Sequence, residues 1–130
     1  MELEPWPLAS AVEAVLVARS VRKLCDACRR EVEAPDELPA RIGIPREQLG
    51  PKLHGPVGCE RCGNTGYAGT IPLTSMLIPD AAVVRLIRNR GTFEALDAAC
   101  RSAGCADLAE LAARQLRAGA TSLDEIARVL

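Results

Sequence analysis

Two Cys-x-x-Cys pairs constrain the fold of this 130-residue chain more than any other feature. The first pair is Cys25 and Cys28, the second is Cys59 and Cys62, and 30 residues separate them. Two thiolates three positions apart on a tight turn converge on one point. Two such turns complete a tetrahedron around a metal ion, with each sulfur about 2.3 Å from the metal. The spacing therefore predicts one metal site formed by all four cysteines.

The chemistry of these donors predicts the metal. A closed set of four soft thiolates selects Zn²⁺ and leaves no position open for a water molecule. We therefore expect a structural zinc site rather than a catalytic one. Basic residues flank the cysteines, and we expect them to offset the thiolate charge and to hydrogen-bond to sulfur. These basic residues are Lys23, Arg29, Arg30 and Arg61.

Two other uses of paired cysteines stay open at this point. A thioredoxin-type redox pair lies at the start of a helix that follows a strand, and neither pair shows that context clearly. An iron–sulfur cluster also takes four cysteines, but the spacing differs from the common ferredoxin patterns. The 30-residue spacer is longer than the usual gap of a zinc ribbon, which disfavours a simple nucleic-acid-binding ribbon.

Two further cysteines and one histidine complete the candidate ligands. Cys100 and Cys105 flank a predicted helix end, and we interpret them as small buried apolar residues because two ligands alone do not make a stable zinc site. His54 is the only histidine and lies in the spacer rich in glycine and proline. We expect a solvent-exposed loop residue there, rather than a ligand or a catalytic base.

Charge and hydropathy exclude several classes of protein. Sixteen basic and 17 acidic residues give a net charge of −1, which argues against nucleic-acid binding by bulk attraction to phosphate. No run of 18 apolar residues is present, and the acidic start lacks the pattern of a secretory signal. We expect a cytoplasmic chain without a transmembrane segment. Because only 2% of the residues are aromatic, its core is expected to consist of Leu, Val, Ile and Ala.

Glycine and proline divide the chain into three predicted parts. Residues 1–24 contain a segment, 8–24, without either residue; its apolar side chains predict a helix that is apolar nearly all round. Residues 25–78 hold most of the glycines and predict an irregular zinc-bound module of turns and a short strand. Residues 79–130 predict a compact helical tail. The predicted fold class is therefore mainly α with a small irregular zinc-bound β/turn module.

Capping signals define the predicted helices of the tail. The predicted N-caps are Asp80, Thr92, Asp107 and Ser122. Glu110 and Glu125 lie three positions after Asp107 and Ser122 and complete the capping-box spacing there. The first three predicted helices are followed by Gly91, Gly104 and Gly119. In the middle part, short helical turns are predicted at 36–42 and 45–49, and tight turns followed by a short strand at 63–77.

No catalytic constellation is recognisable in the sequence. A single loop histidine does not allow a catalytic triad. Residues 58–65 superficially match the phosphate-binding pattern G-x-x-x-x-G-K-[ST], but Asn64 replaces the lysine and two positions are the predicted zinc ligands Cys59 and Cys62. We therefore expect no bound nucleotide and no enzymatic activity of the chain as it stands.

Four blocks of sequence, in order, resemble the C-terminal end of the type II secretion and type IV pilus assembly ATPases. Residues 1–10, MELEPWPLAS, resemble M-G-x-E-P-F-x-x-A-S near the end of the RecA-like core. Residues 19–28 resemble R-L-V-R-x-L-C-x-x-C, and residues 58–69 resemble G-C-x-x-C-x-x-T-G-Y-x-G. Residues 119–129, GATSLDEIARV, resemble G-x-T-[ST]-x-E-E-[VI]-x-R-V.

The chain departs from the family's pattern at four positions. Ala18 and Ser20 stand where the family has Gln and Leu. Thr70 stands in place of an Arg and Ser75 in place of a Glu. Because two opposite charges are replaced together, we expect an ion pair or a subunit contact of the family to be missing here.

The resemblance implies a non-catalytic, zinc-binding C-terminal module. It implies that the module supports a hexameric ATP-hydrolysing motor and its docking to the inner-membrane assembly machinery. The implied partners are the ATPase core or ring subunits and an inner-membrane platform protein, with the chain cytoplasmic or peripheral at that membrane. An exposed apolar face would also favour self-association. The alternative is a free-standing zinc-binding adaptor or regulator; a module for nucleic acid or unfolded chains is weaker still.

Overall fold

The computed structural model describes residues 4–33, 35 and 42–130. This part of the chain contains five α-helices and four β-strands. The helices are α1 (Pro5–Ala11), α2 (Ala81–Arg88), α3 (Phe93–Ser102), α4 (Leu108–Arg117) and α5 (Leu123–Val129). The strands are β1 (Val15–Leu24), β2 (Arg30–Glu33), β3 (Lys52–Gly55) and β4 (Tyr67–Leu77). Short 3₁₀ turns cover Arg46–Gln48 and Glu60–Cys62.

The predicted long helix over residues 8–24 is wrong. Helix α1 ends at Ala11, and residues 15–24 form strand β1, which pairs with β4. Val15, Val17 and Val21 occupy alternate positions of this strand, and β-branched residues at that spacing favour a strand once a partner is available. That partner lies more than 40 positions further along the chain, so local sequence did not reveal it.

The predicted fold class, mainly α, is wrong for the same reason. The four strands form two antiparallel two-stranded sheets, β1–β4 and β2–β3, beside the helices. In the second sheet Val32 is opposite Leu53, and Glu31 is opposite His54. His54 therefore lies half-buried on strand β3, and its predicted place in an exposed loop is wrong.

The helix boundaries of the predicted tail are confirmed where capping signals defined them. The Asp80 carboxylate accepts hydrogen bonds from the N–H groups of Ala82 and Val83, both at 2.9 Å. Thr92 accepts one from the next helix at 3.3 Å, and Gly104 ends that helix with φ +89°. The predicted turn at 45–49 corresponds to the 3₁₀ turn Arg46–Gln48, whereas nearly all of the predicted turn at 36–42 lies outside the described residues.

The chain divides into two compact units, and the helices of the predicted tail fall in both. Unit 1 consists of Met1–Val17 and Ser75–Asp107, and unit 2 of Ala18–Thr74 and Leu108–Leu130. In unit 1, α2 packs against α1 and α3. In unit 2, α4 and α5 both pack against β3. None of the described helices has the length and apolar character needed to cross a bilayer.

The hydrophobic core of unit 2 contains only aliphatic side chains, as the scarcity of aromatic residues predicted. Its buried members are Val21, Ile44, Leu49, Leu53, Leu73, Ala112, Ala113, Leu116, Leu123 and Ile126. They come from β1, β3, β4, α4, α5 and the loop before β3. This core lies in the same unit as the four cysteines of the Cys-x-x-Cys pairs.

Candidate metal centre

The first Cys-x-x-Cys pair forms a tight turn directly after strand β1. The carbonyl oxygen of Cys25 accepts hydrogen bonds from the N–H groups of Cys28 (3.2 Å) and Arg29 (3.0 Å). Two longer-range bonds hold the start of this turn. Leu24 N–H donates to the Ala120 carbonyl at 2.8 Å, and Cys25 N–H donates to the Gly66 carbonyl at 2.9 Å.

The second pair belongs to the 3₁₀ turn Glu60–Cys62, which Cys59 precedes and Cys62 ends. The carbonyl oxygen of Cys59 accepts hydrogen bonds from the N–H groups of Cys62 (3.2 Å) and Asn64 (2.9 Å). Gly63 and Asn64 both have left-handed backbone conformations, with φ +60° and +62°, and these reverse the chain after the second cysteine. Both pairs therefore use the same kind of compact turn to direct two sulfurs toward one point.

Two glycines allow the second turn to close. Gly58 has φ +111°, and a Cβ atom there would lie 2.7 Å from the Asn64 carbonyl oxygen. Gly66 has φ +76°, and a Cβ atom there would lie 2.4 Å from the Cβ atom of Pro56. No other residue type fits either position without displacing the backbone. The glycines beside the cysteines are thus part of what shapes the turn.

The four sulfurs form one cluster. The Sγ atoms of Cys25 and Cys59 are 3.9 Å apart, those of Cys28 and Cys62 are 3.9 Å apart, and those of Cys59 and Cys62 are 3.8 Å apart. All four lie within 4.8 Å of one another, and all four cysteines are free. Sulfurs about 2.3 Å from a tetrahedral zinc ion are separated by about 3.8 Å. The cluster therefore has the dimensions that a zinc tetrathiolate requires.

Main-chain N–H groups surround the sulfurs. The N–H groups of Cys59 and Gly66 donate to Cys62 Sγ at 3.3 and 3.2 Å, and that of Gly58 donates to Cys28 Sγ at 3.4 Å. Burial raises the pKa of Cys62, but these two N–H donors and the neighbouring sulfurs lower it to about 6 overall. Burial raises the pKa of Cys28 to about 11, and the Gly58 donor opposes this only in part.

The basic residues near the cluster do not donate to sulfur as predicted. Lys23 donates to Asp26 at 3.0 Å, and Arg29 donates to the Gly119 carbonyl at 2.6 Å. In the described part of the chain, the N–H donors to these sulfurs all belong to the main chain. The turn itself fixes the position of each backbone donor. The cationic side chains instead bond Asp26 and the Gly119 carbonyl.

A buried ion-pair network holds helix α5 beside the first turn. The Glu125 carboxylate is fully buried and accepts hydrogen bonds from both Arg22 and Arg128, each closest at 2.7 Å. The Arg128 bonds, opposed by burial and aided by Arg22, lower the pKa of Glu125 to about 2. The Arg22 guanidinium also stacks 4.1 Å above the Tyr67 ring, and the Tyr67 hydroxyl bonds Ser122 Oγ at 2.7 Å.

This network changes the interpretation of the predicted capping box. Ser122 does cap α5, because its Oγ accepts from the Glu125 N–H at 3.2 Å. The Glu125 carboxylate, however, binds the two arginines instead of reaching back to the N-cap. The sequence spacing identified the cap but did not reveal the ion pairs of Glu125. One of its partners, Arg22, lies 103 positions away in the sequence.

The remaining candidate residues do not belong to the cluster. His54 packs against Gly119, and its Nδ1 is buried with no hydrogen-bond partner among the described residues. Cys100 and Cys105 lie in unit 1 and are half-buried. Of the two departures that replace a charged residue of the resembled pattern, Thr70 is exposed on β4, whereas Ser75 is buried and its hydroxyl donates to the Ala106 carbonyl at 2.6 Å.

Comparison with known proteins gives a consistent result. Residues 1–128 match the family described as type II/IV secretion system protein. The chain is 33% identical to the type IV pilus assembly ATPase PilB of Pseudomonas aeruginosa over 130 residues, which cover 99% of the chain and 23% of the relative. It is also 33% identical to the type II secretion system protein HxcR of the same organism, covering 99% and 24%.

A third relative extends the comparison to another organism. The type II secretion system protein E of Aeromonas hydrophila is 32% identical over 131 residues, which cover 99% of the chain and 25% of the relative. The chain thus spans about a quarter of the length of these three relatives.

Proposed function

The chain belongs to the type II/IV secretion system protein family, and we propose that it is a zinc-binding, non-catalytic module of a secretion or pilus assembly ATPase. One observation carries the proposal. Four free cysteine sulfurs lie at the spacing of a zinc tetrathiolate, in a chain that matches the family over residues 1–128. The proposed ligands are Cys25, Cys28, Cys59 and Cys62. A closed tetrathiolate has no open coordination position, so its proposed role is structural.

Cobalt substitution tests the proposed ligand set. Co²⁺ replaces Zn²⁺ in tetrahedral sites and then absorbs visible light strongly, with an energy that depends on how many thiolates bind it. We expect the chain to bind one Co²⁺ with a tetrathiolate spectrum that Zn²⁺ abolishes. Cys59→Ser should lose that spectrum, and the matched variant Cys100→Ser should keep it. A spectrum unaffected by Cys59→Ser would refute this ligand set.

We propose that the module does not hydrolyse ATP itself. The sequence contains no Walker motif, and the one segment that resembles a phosphate-binding loop carries two of the proposed zinc ligands. Three relatives that it matches are named ATPases or secretion proteins, and the chain spans about a quarter of their length. The purified chain should therefore show no Mg²⁺-dependent ATP hydrolysis above background. An Mg²⁺-dependent ATPase activity that copurifies with the chain would contradict this part of the proposal.

We further propose that unit 1 packs against the ATPase core or ring subunits of the motor, near the inner-membrane assembly machinery. The support is its exposed apolar surface. Among the described residues of unit 1, the large exposed apolar side chains are Trp6, Leu8, Val15, Leu16, Val17, Met76, Ile78 and Phe93. Trp6 is 66% exposed and Phe93 is 79% exposed. Water-exposed aromatic residues at this level favour contact with a partner surface.

Trp6 is the only tryptophan and reports on this contact directly. Adding the isolated ATPase core of a relative should shift its fluorescence to shorter wavelength, because burial removes the ring from water. The variant Phe93→Ser should weaken the binding. If the zinc-loaded chain remains monomeric and shows no shift with any such core, the free-standing adaptor becomes the better explanation. A shift that depends only on the concentration of the chain would indicate self-association instead.

A further inference from the structure

A third pair of cysteines, Cys100 and Cys105, lies outside the two Cys-x-x-Cys pairs. Both belong to unit 1, whereas the four-sulfur cluster belongs to unit 2. Both are half-buried, and both line one open cavity of about 180 Å³ together with Asp97, Arg101 and Asp107. This cavity is large enough to admit a small polar reagent such as a hydroperoxide.

The end of helix α3 brings these two cysteines together. The helix ends with Gly104 in a left-handed conformation, φ +89°. Gly104 N–H donates to the Arg101 carbonyl and Cys105 N–H donates to the Cys100 carbonyl, both at 3.0 Å. This pair of bonds defines a Schellman motif, in which the residue after the glycine contacts the third residue from the helix end. Here those two residues are Cys105 and Cys100.

The separation suits a disulfide. A direct main-chain hydrogen bond of 3.0 Å between the two residues keeps their Cα atoms within about 7 Å. That is close to the upper limit for an unstrained disulfide. Both residues line the same cavity, which indicates that their side chains lie on the same side of the turn.

Ser75 fixes the starting position of the second sulfur. Its Oγ lies 2.6 Å from the Ala106 carbonyl oxygen, which takes its single proton. Its Oγ also lies 3.3 Å from Cys105 Sγ, so the Cys105 thiol is left to donate this second bond. A thiol is a weak donor, and little is lost when the sulfur turns away from Ser75 toward the cavity.

We propose that Cys100 and Cys105 form a modification site at which a hydroperoxide produces a reversible intramolecular disulfide. In the first step, the Cys105 thiolate attacks one peroxide oxygen, the O–O bond breaks, and the departing oxygen takes up a proton to become water. In the second step, Cys100 sulfur attacks the sulfenic acid of Cys105, the S–O bond breaks, and the released oxygen leaves as a second water with the thiol proton. Two thiols lose two electrons and two protons, and one hydrogen peroxide is reduced to two waters.

The roles of the two sulfurs follow from their surroundings. Burial raises the pKa of Cys100, and the nearby Cys105 and Asp97 raise it further. Cys100 takes the second step, as the resolving thiol, because its thiolate is disfavoured and its residue lies within helix α3, whereas Cys105 lies beyond the helix end with its sulfur beside the Ser75 hydroxyl.

The experiment uses the zinc-loaded full chain treated with hydrogen peroxide, then alkylated and digested with trypsin. Trypsin cleaves after Arg101, between the two cysteines. We expect peptide 91–101 linked to peptide 102–114 by a disulfide, a product that a reducing agent reverses, with the zinc content unchanged. Separate alkylated peptides at every peroxide dose, or a disulfide from Cys100 to a cysteine of the four-sulfur cluster, would overturn the proposal.

Single variants test the order of attack. In Cys100→Ser, a sulfenic acid should persist at Cys105 and be trapped by a 1,3-dicarbonyl reagent. In Cys105→Ser, trapping at Cys100 should be slower, because burial disfavours its thiolate. Ser75→Ala keeps both cysteines, so the linked peptides should still form. Faster trapping at Cys100 than at Cys105 would refute the assigned roles.

Discussion

The two compact units of the chain differ in how they bury their apolar side chains. Unit 2 has a continuous aliphatic core, the four-sulfur cluster and the buried Glu125 network. Among the described apolar residues of unit 1, only Ala9 and Val83 are buried, while large side chains such as Trp6 and Phe93 are exposed. Unit 2 therefore contains the interactions that stabilise an independent fold, and unit 1 retains the surface that a partner would cover.

The cluster and the Glu125 network stabilise unit 2 by different means. The cluster joins the end of β1 to the loop before β4, through ligands that are 34 positions apart. The Glu125 network joins β1 to helix α5 through charged groups, one of which is fully buried. The proposed metal and the buried carboxylate thus both hold strand β1, the first to the loop before β4 and the second to helix α5. Removing each in turn compares their contributions to the stability of unit 2.

The largest expected effect is that of Cys59→Ser. Structural zinc contributes about 10–16 kcal/mol in small zinc domains, which is as large as the whole stability of a typical domain. We expect unit 2 to lose its structure while part of the helical signal of α2 and α3 persists. Circular dichroism with amide hydrogen exchange resolves the two units, and Cys100→Ser is the matched control because it removes a half-buried thiol outside the cluster. Wild-type melting of Cys59→Ser would mean that no metal stabilises unit 2.

The next largest effect is expected for Glu125→Gln. Removing the buried carboxylate leaves Arg22 and Arg128 without their shared partner, but both guanidinium groups are about half exposed and regain water. The expected loss is therefore about 2–3 kcal/mol, at the low end for broken buried ion pairs. Urea unfolding of the zinc-loaded chain measures it. A loss below about 0.5 kcal/mol, the range of ordinary surface substitutions, would show that the network contributes little.

The same carboxylate predicts a dependence on pH. Its pKa is lowered from 4.5 in the unfolded chain to about 2 in the folded protein, chiefly by Arg128. A lowered pKa stabilises the fold above pH 4.5, and that contribution disappears as the pH falls toward 2. The stability difference between wild type and Glu125→Gln should shrink over this range. The difference is measured over the part of this range in which both proteins keep their zinc, and a constant difference there would contradict the assignment.

The sequence predicted local features well and long-range ones poorly. The helices after residue 79 were predicted because Asp80, Thr92 and Ser122 each cap a helix within three residues. The four cysteines were singled out because their spacing is itself a local pattern. Strand β1 was predicted as a helix because its pairing with β4 is distant in sequence. The ion pair of Glu125 with Arg22 was missed for the same reason, since a nearby cap already explained the glutamate.

An effect of similar size should separate two glycines of unit 2. Gly66→Ala places a Cβ atom 2.4 Å from Pro56 and also strains a residue with φ +76°. We expect a loss of about 2–4 kcal/mol and weaker metal binding, because Gly66 N–H donates to Cys62 Sγ. The control is Gly69→Ala, at φ +82° with no atom within 4 Å, where only the backbone strain of about 1 kcal/mol applies. Equal losses in urea unfolding would show that the contact with Pro56 is unimportant.

The smallest effect is expected at the exposed surface of unit 1. Phe93→Ser should change stability by less than about 0.5 kcal/mol, because the ring is 79% exposed. Leu116→Ala, at a fully buried position in the core of unit 2, should cost about 2–5 kcal/mol in the same urea assay. A large loss for Phe93→Ser would mean that unit 1 buries this ring in solution, and the contrast between the units would then not hold.

Metal content combined with thiol titration decides whether the cluster of unit 2 is a metal site. The chain is purified without added zinc, and its reactive thiols are counted before and after a chelator. One zinc per chain, with the four thiols of the Cys-x-x-Cys pairs becoming reactive only after chelation, is the expected result. Cys100 and Cys105 should react to the same extent in both states. A metal-free chain with the thiols of the Cys-x-x-Cys pairs joined as disulfides would contradict the proposed metal site and favour a redox role for these pairs.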